Sequence, residues 1–218
     1  MNNSNLLGGQ SGRRGSRKLS PTASQQLALA LSLLAIGCAI GALFGFAAGW
    51  TRYHSDSFSW QQLHTETPVT LDIRQGWWKS TSTWGISKYA PSLFKIEGSV
   101  MRGFGAVAAG GLAISILLGL LVLLGAAAAL LDVDASNKLS APGLCRLAFI
   151  ISLVLYIVVV GLYAVLALSL RHKTKDQLGV AILPRPDWAA GLGLLAAITW
   201  TLLTTVHADL GTDYSSIA

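Results

Sequence analysis

Few residues in this chain of 218 are of a kind and spacing that do chemistry. His54 and His64 lie ten positions apart, with Asp56 and Glu66 close to them. That interval fits no standard zinc pattern, and no cysteine lies nearby to complete one. Cys38 and Cys145 sit in apolar runs at different expected membrane depths, so they do not suit a disulfide. His207 stands alone at the end of an apolar run. Tyr156 and Tyr163, one heptad apart, read as packing residues whose hydroxyls need partners if buried. No nucleophile elbow, P-loop or dinucleotide-binding fingerprint occurs. The expectation is no catalytic residue, no metal ligand and no cofactor, and a chain that is not an enzyme.

The elements around these residues are dominated by hydrophobicity. Hydrophobic residues make up 52% of the chain and charged residues 12%, about half the charged share of an ordinary soluble domain. Mean hydropathy is +0.55. A disordered chain, a disulfide-stapled miniprotein and a soluble globule are all excluded. A run of about 20 apolar residues spans a bilayer as a helix, and four stretches qualify: 26–50, 103–131, 144–170 and 188–207. The predicted fold is all-α, a four-transmembrane-helix bundle with a small antiparallel β-sheet in its long first loop. Residues 1–25 are a basic tail of disordered composition. Residues 51–102 form the long aromatic loop, 132–143 and 171–187 are short loops, and 208–218 are a second tail. The first run is too long for a signal peptide and lacks a following cleavage site. Residues 1–54 hold no Asp or Glu, which also suits an organelle transit peptide.

Four spans put both termini on one side. Six Lys or Arg lie on that side and ten on the loop side, so the positive-inside rule gives a poor answer. The tail's four, Arg13, Arg14, Arg17 and Lys18, are tightly clustered, and termini inside is the orientation adopted. Trp50 and Trp188 fall at one expected membrane face, as an aromatic belt predicts. Arg146 is the one charge within a span, close enough to its start to snorkel to the headgroups. The spans carry no acidic residue at mid-depth, which argues against proton-coupled transport.

Gly37, Gly41, Gly45 and Gly49 place a glycine at every fourth position of the first span. Such a stripe lets a neighbouring backbone approach closely. It serves either self-association or a tight contact with another span of the same chain. In the long loop Val69, Leu71 and Ile73 alternate with polar residues, a strand pattern, and residues 77–86 suit a second strand. From Pro91 the pattern turns to a short helix leading into the second span. Trp60, Trp77, Trp78 and Trp84 enrich this loop in aromatics and, with Gly85, are its candidate partner contacts. Cys145 beside Arg146 is placed for lipid acylation by position alone.

The layout resembles the claudin and peripheral-myelin-protein superfamily, whose members have four spans, inside termini, a long first loop with a small sheet and a shorter second loop. Gly76-Trp77-Trp78-Lys79-Ser80 stands where claudins carry a Gly-Leu-Trp segment. A nearer likeness is to amastins, the trypanosomatid surface proteins, whose signature centres on Thr-Leu-Trp-Gly followed by a basic residue between two cysteines. Trp84 and Gly85 match it, and Lys88 comes one place late. Ser80 and Ala90 occupy the cysteine positions, so the disulfide is missing.

These observations imply an integral membrane structural or interaction protein of tetraspan claudin-like type, working through its long loop and its helices. Its partners are the lipid bilayer and other membrane proteins or identical chains, not nucleic acid. The resemblance favours the plasma membrane; an organelle membrane is the alternative. Other readings are an accessory subunit of an intracellular membrane complex, and a small-solute channel or transporter formed by an oligomer. The tail residues Arg13, Arg14, Arg17 and Lys18 suit anionic lipid, with Ser16 as a phosphorylation site that would weaken the attraction.

Overall fold

A computed structural model describes residues 21–46, 49–58, 69–78, 80–84, 99–131 and 141–215. Four helices, α1 (Pro21–Leu43), α2 (Ser99–Leu130), α3 (Ala141–Leu178) and α4 (Trp188–Ser215), account for most of it. Each holds a stretch long and apolar enough to cross a membrane. They run up and down, and each packs on its two neighbours: α1 on α2 and α4, and α3 on α2 and α4. The core between them holds Ala35, Ala39, Leu112, Ile151, Leu155, Ala197, Trp200 and Leu203. Large apolar side chains such as Leu33, Val107, Leu117, Leu124, Ile157 and Leu168 point outward. In water that surface would be a liability, but against acyl chains it is the expected exterior.

Because lipid is as apolar as leucine, helices in it associate through close packing and hydrogen bonds. Both occur here. Where α3 meets α4, the Ser152 hydroxyl lies 2.7 Å from Thr201 Oγ1 and donates to the Ala197 carbonyl. One heptad earlier, the Cys145 thiol donates to the Thr204 carbonyl at 3.4 Å. Where α1 meets α4, small residues do the work. A side chain on Gly41 would meet Leu192, and one on Gly45 would meet Ala189 and the Trp50 ring.

The helix boundaries depart from the hydropathy reading. The first apolar run continues to Trp50, but α1 stops at Leu43, and a 3₁₀ turn, Phe44–Phe46, follows. Gly49 then takes φ +113°, a value L side chains rarely adopt, and the Trp188 ring lies where its Cβ would be. Trp50 is consequently fully buried, not part of an interfacial belt; Trp188 is the half-exposed one. At the other end of the molecule α3 runs past the expected Leu170 to Leu178. Its 38 residues make about 57 Å of helix against about 30 Å of hydrocarbon, so the charged turns of Arg171, Lys175 and Asp176 extend beyond the core. Gly179 (φ +68°) ends it, its N–H bonded to the Lys175 carbonyl at 3.0 Å. Asp187 starts α4, its carboxylate accepting the Trp188 N–H at 2.8 Å.

The sheet sits on the end of the bundle opposite the termini. Three antiparallel strands come from the long loop: β1 (Thr51–Phe58), β2 (Val69–Gln75) and β3 (Ser80–Trp84). A two-residue strand from the second loop, β4 (Arg185–Pro186), adds to it in the order β3-β2-β1-β4. The alternation at Val69–Ile73 foretold β2. The second predicted strand begins at Ser80 and not at Trp77, because Trp77 and Trp78 occupy a bend before it, and residues 85–86 lie outside the described residues. Strands β1 and β4 carry no such signal. The short helix expected from Pro91 lies outside the described residues, as do the 1–25 tail up to residue 20 and most of the 132–143 loop.

Candidate functional site

Alternation along β1 and β2 divides the sheet into two faces. The inner face holds Thr51, Leu71, Ile73 and Gln75, all buried against the bundle. Thr51 and Gln75 face each other across the strands, and the Thr51 hydroxyl donates to Gln75 Oε1 at 2.5 Å. Several bonds fasten the two loops to the helices. The Trp77 indole N–H donates to the Leu43 carbonyl at 3.0 Å, satisfying an acceptor left open by the end of α1. The Trp77 carbonyl lies where a Cβ on Gly105 of α2 would stand, so only glycine admits this approach. The Tyr163 hydroxyl of α3 donates to the Pro184 carbonyl at 3.1 Å. Thr174 Oγ1 accepts the Ile182 N–H at 3.0 Å. The two loops are stitched where they leave the membrane: the Asp187 N–H donates to the Trp50 carbonyl at 3.1 Å, and the Ala189 N–H to the Gly49 carbonyl at 2.7 Å.

The outer face is charged. Arg74 of β2 stands opposite Arg52 of β1, which stands opposite Arg185 of β4. Three arginines therefore form one row across three strands. Like charges directly opposite each other repel. Asp72, opposite His54, relieves two of them: its Oδ1 meets Arg52 Nε at 3.2 Å, and its Oδ2 meets Arg74 Nε at 3.2 Å. Arg185 forms no such pair among the described residues. His54 Nε2 lies 2.9 Å from Asp56 Oδ1, and its Nδ1 lies 4.0 Å from Asp72. Beside the row an open cleft of about 500 Å³ is lined by Arg52, Tyr53, His54, Leu183, Arg185 and Asp187. Guanidinium groups held in a row on a fixed backbone suit carboxylates or other anions. No nucleophile stands beside a base here. Among the described residues no three His, Cys, Asp or Glu converge as a metal site would require.

The residues singled out in the sequence separate. Trp77 is half-buried and fastens the loop; its ring meets Trp78 edge to face, centroids 5.9 Å apart. Trp78 is 56% exposed. Trp84 closes β3 opposite Leu71. Trp60, Gly85, His64 and Glu66 lie outside the described residues, as do Arg13, Arg14, Ser16, Arg17 and Lys18 of the tail. The glycine stripe divides too. Gly41, Gly45 and Gly49 face α4 or the Trp188 and Trp50 rings, whereas Gly37 meets nothing. His207 is buried inside the bundle, not set at its surface. Tyr156 packs partly buried against the core. Sequence reading counted Arg52, Arg74 and Arg185 only as charges for sidedness. Their convergence depends on strand register, and β2 alone was visible.

Compared with known proteins, the chain matches no protein-family model and no curated protein sequence.

Proposed function

We propose that this chain, whose four apolar helices mark it as an integral membrane protein, is a structural and interaction protein of tetraspan claudin-like type. Its working surface is the outer face of the sheet, with the Arg74–Arg52–Arg185 row, together with the exposed Trp78 of the bend that follows β2. The observation that supports this is the mounting. A charged face held over the bundle by Trp77, Trp50, Tyr163 and a strand from the second loop is presented as one stiff unit. Arginine and exposed tryptophan are residue types that anchor protein interfaces. The partner is an identical chain or another membrane protein that offers acidic groups. The claudin-like layout, four spans with a sheet at one end, favours the plasma membrane with the sheet outside.

The test is native mass spectrometry of the full chain extracted from its membrane in mild detergent, alongside the double variant Arg52→Glu/Arg185→Glu. The expected result is a defined assembly for the wild-type chain and its loss in the variant, with helix content unchanged. A strictly monomeric wild-type chain without co-purifying partner would overturn the reading. Tags after Ala218 and near Ser57, probed from both sides, address location. A loop facing the cytosol would favour the accessory-subunit alternative. For the channel alternative, Gly41 and Gly45 are taken up in contacts within one chain, whereas Gly37, Gly103 and Gly110 meet no neighbour.

A further inference from the structure

An apolar groove of about 550 Å³ runs between α3 and α4 at the terminal side of the bundle. Its walls are Cys145, Phe149, Ile150, Thr204, Thr205 and Ala208, with Arg146 beside them. From these neighbours we propose that the groove holds one acyl chain of an anionic phospholipid whose phosphate is bound by Arg146.

Three observations carry this. The groove lies within the apolar segments Gly143–Asp176 and Trp188–Ala208, so what fills it comes from the bilayer. Its polar atoms are turned away from any solute. Thr204 Oγ1 donates to the Thr201 carbonyl at 2.6 Å, Thr205 Oγ1 to the Leu202 carbonyl at 2.7 Å, and the Cys145 thiol to the Thr204 carbonyl. What remains is methyl, methylene and ring surface, which fits a hydrocarbon chain and offers nothing to a sugar or peptide. Finally, Arg146 is exposed one turn inside the start of the span, and among the described residues no carboxylate pairs with it. An acyl chain gains little in moving from bilayer to groove, since both are apolar. Preference among lipids must therefore come from the headgroup, where a guanidinium binds phosphate with charge-assisted hydrogen bonds. Both kinds of headgroup present the phosphate, but a zwitterionic one also carries an ammonium that repels the guanidinium, so an anionic headgroup is favoured.

Native mass spectrometry of the full chain, titrated with phosphatidylglycerol or with phosphatidylcholine of the same acyl chains, reads this directly. The wild-type chain is expected to retain phosphatidylglycerol about fivefold more strongly, the weight of one basic residue's attraction to an anionic headgroup. Arg146→Gln should reduce that preference to near unity. Thr205→Trp, which fills the groove, should weaken retention of both lipids. Inorganic phosphate should not displace the bound lipid, because it lacks the chain. Replacing Arg13, Arg14, Arg17 and Lys18 with Ala separates this site from general attraction to the tail, and the preference should survive. Equal retention of the two lipids by the wild-type chain would overturn the proposal. So would a preference that persists in Arg146→Gln or vanishes with the tail variant. Both substituted side chains, Arg146 and Thr205, are exposed, so an unchanged thermal unfolding midpoint confirms that the variants fold.

Discussion

The two faces of the sheet are built from alternate residues of the same strands, yet they do opposite work. On the inner face Leu71, Ile73, Thr51 and Gln75 are buried. On the outer face Arg52, His54, Arg74 and Arg185 are exposed and share few carboxylates. The inner face spends its residues on attachment, and this leaves the outer face free to carry charge that attachment alone would not select. Stability and partner binding should therefore respond to different residues, even where these are neighbours along one strand.

The sharpest way to break this contrast is to place the same charge on each face. Ile73→Asp puts an unpaired carboxylate into the buried layer and is expected to cost at least about 4 kcal/mol. Thr70→Asp, on the exposed side of the same strand, should shift stability by no more than about 0.5 kcal/mol. Reversible unfolding in detergent, followed by tryptophan fluorescence, measures both.

The tryptophan pair gives the next largest effect. Trp77→Ala removes a packed ring and the cap on α1 and is expected to cost about 3–5 kcal/mol. Trp77→Phe should cost about 1 kcal/mol for the lost hydrogen bond. Trp78→Ala should leave the unfolding midpoint nearly unchanged and weaken partner binding instead. Gly105→Ala pushes a methyl group into the Trp77 carbonyl and should cost about 1–3 kcal/mol. Limited proteolysis of the long loop would show the loop coming away from α2 while the helices stay folded.

The smallest effect lies on the outer face itself. Asp72→Asn leaves Arg52 and Arg74 facing each other without a counter-charge, at a cost of about 1 kcal/mol at low salt. Because that repulsion is screened, the cost should shrink as ionic strength rises. The Ile73→Asp defect should not change with salt, since it arises from burial. A salt-independent Asp72→Asn effect would place Asp72 among the attaching residues.

The legible part of this architecture is the part written in local patterns. Apolar runs of span length revealed the four helices, and the alternation of Val69, Leu71 and Ile73 revealed β2. Strand β1 escaped because its inner positions are Thr51, Tyr53 and Ser55, too polar to mark a buried face. Strand β4 is two residues long, and one is a proline, tolerated there because the strand is at the sheet edge. Hydropathy ran the first span on to Trp50 because it registers apolarity and not the turn that Gly49 makes. The arginine row was beyond reach for a related reason. Arg52, Arg74 and Arg185 are distant in the chain, and only the pairing of β1 with both β2 and β4 sets them side by side.

Cross-linking at Trp78 tests the central claim most directly. The chain's own cysteines, Cys38 and Cys145, lie in the helices, so Trp78→Cys puts a single thiol on the sheet side. Treated in intact membranes with a thiol-to-amine cross-linker, this variant should give one discrete adduct, to an identical chain or to one partner. The adduct should disappear when Arg52→Glu and Arg185→Glu are added. A Trp78→Cys chain that folds and labels fully yet stays uncross-linked, or an adduct indifferent to the arginines, would contradict the account.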